Sequence, residues 1–142
     1  MSANPLTSTL AAFIEQAAKA ALAMDQSARQ SIAELSGQTL LLELTTLSNT
    51  APLGIRISCH EEALGVMADS PHNTRAPNAI VRGHVSDVLR ALLSSAEDTG
   101  ALPKGISIEG DEQLLMSLRQ CFSELAPDWR DQLETIISRF TS

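Results

Sequence analysis

A chain of 142 residues has room for one domain at roughly 100–200 residues per domain, and at 44% hydrophobic and 19% charged it is no disordered tail. No run approaches the roughly 18 consecutive apolar residues that a spanning helix needs. Seventeen acidic against 10 basic residues give a net charge of −7, a field that repels phosphate backbones and anionic lipid surfaces, and aromatics make up 3% with no Tyr, so nucleic acid is not expected as a partner.

Leu6, Leu10, Phe13, Ile14, Ala17 and Ala21 recur at helical spacing behind Asn4-Pro5, which predicts a first helix to about Met24. Ala21-Leu22-Ala23 has the look of a signal-peptidase site, but no Lys or Arg precedes the apolar run and Glu15 and Lys19 interrupt it, so a cytoplasmic protein is expected. Ser27 and Gln30 have the spacing of a capping box, and Ala28, Ile32 and Leu35 form a short stripe ended by Gly37, which predicts a second helix.

From Thr39 the period changes to two. Leu40, Leu42 and Leu44 alternate with Thr39, Glu43 and Thr45, and after the Asn49-Thr50-Ala51-Pro52 loop Leu53, Ile55, Ile57 and Cys59 alternate around Arg56 and Ser58. Leu64, Val66 and Ala68 mark a third strand, and Ala79 to Arg82 a fourth, beyond the turn-rich 69–73 segment. Val85, Val88, Leu89, Leu92, Leu93 and Ala96 give the next helix, ending before Gly100 and Pro103. Ile106 and Ile108 then alternate with Ser107 and Glu109 as a fifth strand. Asp111 can cap the following helix, over 112–125, whose stripe is Leu114, Leu115, Leu118, Cys121, Phe122 and Leu125. Pro127 breaks it, and Trp129, Leu133, Ile136, Ile137 and Phe140 repeat the spacing in a last helix. Two helices, four strands, a helix, a strand and two helices predict an α+β fold, one domain over 1–142, with helices layered on a mixed sheet.

The search for chemistry is mostly negative. His60 and His72 lack the gaps of zinc ligands, and neighbouring strand residues Cys59 and His60 point to opposite faces, so neither a metal site nor a Cys–His nucleophile is expected. Cys59 and Cys121 fall at apolar positions and read as reduced, buried thiols. His84 reads as a capping or surface residue, and Glu61-Glu62, Asp128 and Asp131 as solvated acids. The glycines form no phosphate-binding loop. No catalytic constellation and no cofactor are expected. Leu-rich stripes over one sheet face can close into a solid core, as an interaction scaffold would, or leave a lined void.

Val81-Arg82-Gly83-His84, Leu89-Arg90-Ala91-Leu92-Leu93, Ile106-Ser107-Ile108-Glu109-Gly110-Asp111 with Leu114-Leu115, and Leu125-Ala126-Pro127-Asp128-Trp129 follow one another as in the sterol carrier protein 2 (SCP2) domain. Within that family the order most resembles the N-terminal domain of the ubiquinone biosynthesis accessory factors of the UbiJ type. Gly37-Gln38-Thr39-Leu40 to Leu44 is similar to the family's first strand, so the resemblance covers about the whole chain. It implies a five-stranded SCP2-like fold enclosing an apolar tunnel, with no catalytic activity. The cargo it implies is a polyprenylated ubiquinone precursor or another apolar lipid, presented to the ubiquinone biosynthesis enzymes.

The lining such a tunnel would use here is Leu42, Leu44, Ile55, Ile57, Leu64, Val66, Leu89, Leu93, Ile108, Leu115, Leu118 and Phe122. Gly110-Asp111 is expected to serve geometry and Trp129 to anchor a helix. Two departures stand out. Arg130 occupies a position that is usually Glu, and the chain ends at Ser142, where the family continues into a helical tail, so a coiled-coil partner is expected only where that tail is present. A domain of this length has a radius of gyration of roughly 14–15 Å, too small to enclose a long tail, which points to a homodimer.

Overall fold

The structure, a computed structural model, describes residues 5–24, 26–45, 53–61, 63–68, 76–93, 105–122, 131–132, 134–136 and 138. Asn4, the loops at 46–52 and 69–75 with His72, Glu62, Ala96, Gly100, Pro103, Leu125, Pro127 to Arg130, Leu133, Ile137 and Phe140 lie outside them, as do the side chains of Leu6, Ala28, Leu93 and Cys121. Helices α1 (Pro5–Met24) and α2 (Gln26–Glu34) precede strands β1 (Thr39–Thr45), β2 (Leu53–Cys59), β3 (Leu64–Ala68) and β4 (Ala79–His84). Helix α3 (Val85–Leu93), strand β5 (Ser107–Gly110) and helix α4 (Glu112–Phe122) follow. The described positions between 131 and 138 are also helical, within the last helix that the spacing predicts.

The strands form one sheet in the order β3-β2-β1-β4-β5, with β1 and β4 parallel and the other neighbours antiparallel. The register sets Leu42 between Ile55 and Val81, Leu40 between Ile57 and Ala79, and Ile57 beside Val66, so the apolar positions of each strand share one face. Helix α1 packs against β2 and β3, α3 against β1 and β4, and α4 against β4 and the other three helices. The layering is therefore the mixed α+β arrangement that the period-two segments and helical stripes predict.

Punctuation is local. Gly37 takes a φ of +91° after the last turn of α2, a conformation that costs little only without a Cβ. The Arg29 guanidinium donates to the Leu22 carbonyl at 2.7 Å, satisfying one of the orphan acceptors at the end of α1. Helix α2 starts at Gln26, so Ser27 lies inside its first turn rather than ahead of it. Asp111 does cap α4, its carboxylate accepting from the Gln113 N–H at 3.0 Å.

A second correction concerns the sheet's other face. Alternation predicts Arg56 as an outward polar residue, but it is 6% exposed, and Leu41 beside it is 7% exposed. The register explains the difference. Arg56 sits on an interior strand between Leu41 and Met67, with Ile80 beyond Leu41, so the neighbours in its row are apolar.

Candidate functional site

The inner face of the sheet and the helices over it bring the predicted lining together. Leu42, Leu44, Ile55 and Ile57 from the central strands, Leu64 and Val66 from β3, Leu89 from α3, and Leu115, Leu118 and Phe122 from α4 belong to one continuous apolar cluster. Ile108 packs against it from β5 and is half-buried; Leu93 lies in α3. Leu42, Leu44, Ile55, Ile57, Leu89, Leu118 and Phe122 have no solvent-accessible surface at all. A ligand tail that enters between them has to part them first.

The turn from β5 into α4 fixes how α4 returns over this face. Gly110 has a φ of +96°, and a Cβ there would run into the Asn78 carbonyl oxygen, which accepts from the Asp111 N–H at 3.0 Å. Asn78 also ties down β1: its N–H donates to the Thr39 carbonyl at 2.8 Å and its side-chain oxygen accepts from the Thr39 N–H at 2.9 Å. Gly110-Asp111 thus serves geometry, as expected.

The titratable groups near the core are engaged structurally. Burial of Cys59, 1% exposed at the end of β2, pushes its thiol up to about 11, so it is protonated and inert at neutral pH. The His84 Nδ1 accepts from the Ser86 N–H at 3.2 Å and lies 2.8 Å from the Ser86 hydroxyl, capping α3 in the role the sequence suggests. His60 and Glu61 are exposed at the β2–β3 turn. Among the described residues no three His, Cys, Asp or Glu side chains gather as metal ligands, and no helix is long and apolar enough to cross a membrane.

A cleft of about 310 Å³ opens between α1 and the C-terminal helical segment, lined by Phe13, Asp131, Gln132, Thr135 and Ile136. Among the described residues, none of the predicted lining contributes to it. Phe13 belongs to the core cluster and Ile136 packs against that cluster, so the cleft floor adjoins the apolar interior. Arg90 of α3 grips Glu134 of the same segment through two contacts of 3.3 and 3.0 Å, and those hydrogen bonds hold its guanidinium above the usual range. The sequence offers only partial signals here: Phe13 and Ile136 stand on helical stripes, while Asp131 looks like any solvated acid.

Comparisons with known proteins follow the same lines. A model described as the SCP-2 sterol transfer family matches residues 15–123, from within α1 to just past α4. Among solved structures, the chain is similar to a "UbiJ-SCP2 Ubiquinone synthesis protein" at a TM-score of 0.62 and 19% identity, covering 87% of this chain and 93% of that one. It is also similar to the sterol carrier protein domain 2 of Helicoverpa armigera, at a TM-score of 0.53 and 15% identity, covering 89% and 98%. At such identities these likenesses show the fold. Compared by sequence with curated proteins, the chain matches none.

Proposed function

The chain belongs to the SCP-2 sterol transfer family, and from that premise we propose that it is a non-catalytic lipid-binding accessory factor of ubiquinone biosynthesis working in the cytoplasm. In this reading it holds polyprenylated intermediates between sheet and helices and presents the head to the enzymes that modify it. The observation that carries it is the family match, which spans all five strands and the α3 and α4 helices. The likeness to the ubiquinone synthesis protein and the ordered motifs from Val81 to Trp129 direct it toward prenylated cargo.

Physical chemistry supports the pairing. Each methylene of a prenyl tail moved out of water is worth about 0.8 kcal/mol, so an apolar interior gains affinity without a polar anchor. The lining we assign is Leu42, Leu44, Ile55, Ile57, Leu64, Val66, Leu89, Leu93, Ile108, Leu115, Leu118 and Phe122. A homodimer would let two copies share a long tail.

A second reading, a solid-core scaffold for a biosynthetic complex, is favoured by the complete burial of Leu42, Ile55, Leu118 and Phe122. Native mass spectrometry with organic extraction of the purified protein separates the two. A co-purifying isoprenoid, or uptake of an added prenylphenol, is the expected result. A bare protein mass with no uptake overturns lipid binding and leaves the scaffold. Light scattering across the micromolar range tests the dimer, and a monomeric mass removes the shared tail.

A further inference from the structure

We propose that the cleft between α1 and the C-terminal helical segment is a head-group site for an apolar ligand carrying a neutral hydroxyl, a phenol or an alcohol, and that it rejects a carboxylate on the same tail. This rests on the lipid-binding reading and adds where the polar end sits and which chemistry it has. The described lining residues Phe13, Asp131, Gln132, Thr135 and Ile136 all fall outside the 15–123 segment that the family model matches.

Size sets the first constraint. At about 310 Å³ the cleft has the volume of about two of the 150 Å³ cavities that enclose a benzene molecule. It accommodates a substituted ring or an alcohol with its first tail carbons, and a long tail has to continue elsewhere. The floor supplies that continuation. Phe13, 8% exposed, is part of the core cluster, and Ile136 packs on the same cluster, so an apolar group leaving the cleft meets the interior directly.

The rim sets the chemistry. The Thr135 hydroxyl donates its hydrogen to the Asp131 carbonyl at 3.1 Å, which leaves its oxygen as an acceptor. The Asp131 carboxylate only accepts, and the Gln132 amide does both. Among the described lining residues there is no cation, and the nearby Arg90 charge is engaged by Glu134. Such a rim receives a hydroxyl hydrogen. An anionic head would meet the Asp131 charge on a chain whose net charge is −7.

The test compares three probes with the same tail on the full chain at neutral pH: farnesol, farnesoic acid and the headless hydrocarbon farnesene, each titrated by native mass spectrometry. Farnesol should bind about tenfold more tightly than farnesoic acid, the order of one hydrogen bond plus one avoided repulsion. Asp131→Lys should reverse that preference, and Gln132→Ala and Thr135→Val should each weaken farnesol severalfold while leaving farnesene unchanged. Asp131, Gln132 and Thr135 are exposed, so these variants retain the core. Equal binding of alcohol and acid, indifferent to Asp131→Lys, overturns the head-group site while lipid binding stands. No uptake of any of the three probes overturns lipid binding itself and this proposal with it.

Discussion

The two faces of the sheet are built from alternate residues of the same strands and have come to different ends. The inner face carries Leu40, Leu42, Leu44, Ile55, Ile57, Val66, Ala79 and Val81 under α1, α3 and α4, all 8% exposed or less. The outer face mixes Leu41 and Arg56, both buried, with Ile80, a 57%-exposed Met67 and an ion-paired row in which Arg82 bridges Glu43 and Glu109 at 2.8 Å each. Those hydrogen bonds hold the Arg82 guanidinium above its ordinary range. Burial on the inner face comes from helices packed across it; on the outer face the buried positions are Leu41 and Arg56, on the interior strands β1 and β2. The inner arrangement concentrates stability and any lipid site on one side. The outer one leaves a surface that tolerates change.

The largest effect that would test this contrast is at Leu118, which is 0% exposed in α4. Leu118→Ala should cost about 4 kcal/mol within the roughly 2–5 expected for a buried Leu, because a closed interior cannot collapse into the gap. Leu118→Trp should be overpacked by typically 1–3 kcal/mol and should weaken prenylphenol uptake. Chemical denaturation of both variants checks this. A cost below about 2 kcal/mol for the Ala variant, with an unchanged melting temperature for the Trp variant, would mean that the α4 side of the inner face has spare room already.

Gly110 sharpens the contrast from another direction, because it decides which face α4 covers. Gly110→Ala should cost at least about 3 kcal/mol, the upper end of the strain of a non-glycine residue held at an unfavourable φ, since the new Cβ also strikes the Asn78 carbonyl oxygen. A Gly37→Ala control meets a similar φ of +91° with nothing near its Cβ. The excess of the first loss over the second measures the backbone contact alone. Equal losses would show that Asn78 yields.

How much of this was legible in the sequence follows from the same contrast. A face covered by helices imposes strict alternation on its strands, so Thr39 to Thr45 and Leu53 to Cys59 are readable to the residue, and Ala79 to Arg82 only misses the two residues by which β4 runs on into α3. Single-residue chemistry with a fixed geometry, Gly37, Gly110 and the Asp111 cap, is equally readable. Arg56 is not, because its place between Leu41 and Met67 depends on pairing order, which a local pattern does not carry. The start of α2 is displaced from Ser27 because the spacing of a capping box reads the same just inside a helix as at its start. The cleft was illegible for a stronger reason: Phe13 and Asp131 are 118 positions apart, and nothing in either helix's own period announces the other.

Cys59 gives the inner face a pH signature. Its thiol is raised from 9.0 to about 11 by burial, so the folded chain binds that proton more tightly than the unfolded one. The associated stability is complete below pH 9 and is lost as pH rises toward 11. At about 1.4 kcal/mol for each pH unit crossed between those two values, the full loss is about 2–3 kcal/mol. Denaturation midpoints of the protein and of Cys59→Ala, compared at pH 8 and pH 10.5, read the difference. Parallel behaviour of the two would mean that the thiol is reached by solvent, and that this end of the inner face is open.

The smallest effects belong to exposed positions. Met67→Lys on the outer face should shift stability by no more than about 0.5 kcal/mol, as at other surface sites, and a loss above about 1 would mean that this face is covered. The Arg90–Glu134 pair, with side chains 51% and 58% exposed, should couple α3 to the C-terminal segment by about 0.2–1 kcal/mol in a double-mutant cycle. At 1 M salt, where the screening length is about 3 Å, most of that coupling should vanish. Two hydrogen bonds of 3.0 and 3.3 Å give the pair directional geometry, which places the expectation in the upper half of the range. A coupling that exceeded the range and survived salt would require the two charges to be shielded from water. The C-terminal segment would then be a fixed wall of the cleft it lines, rigid enough to hold Asp131 and Thr135 in place for a ligand head.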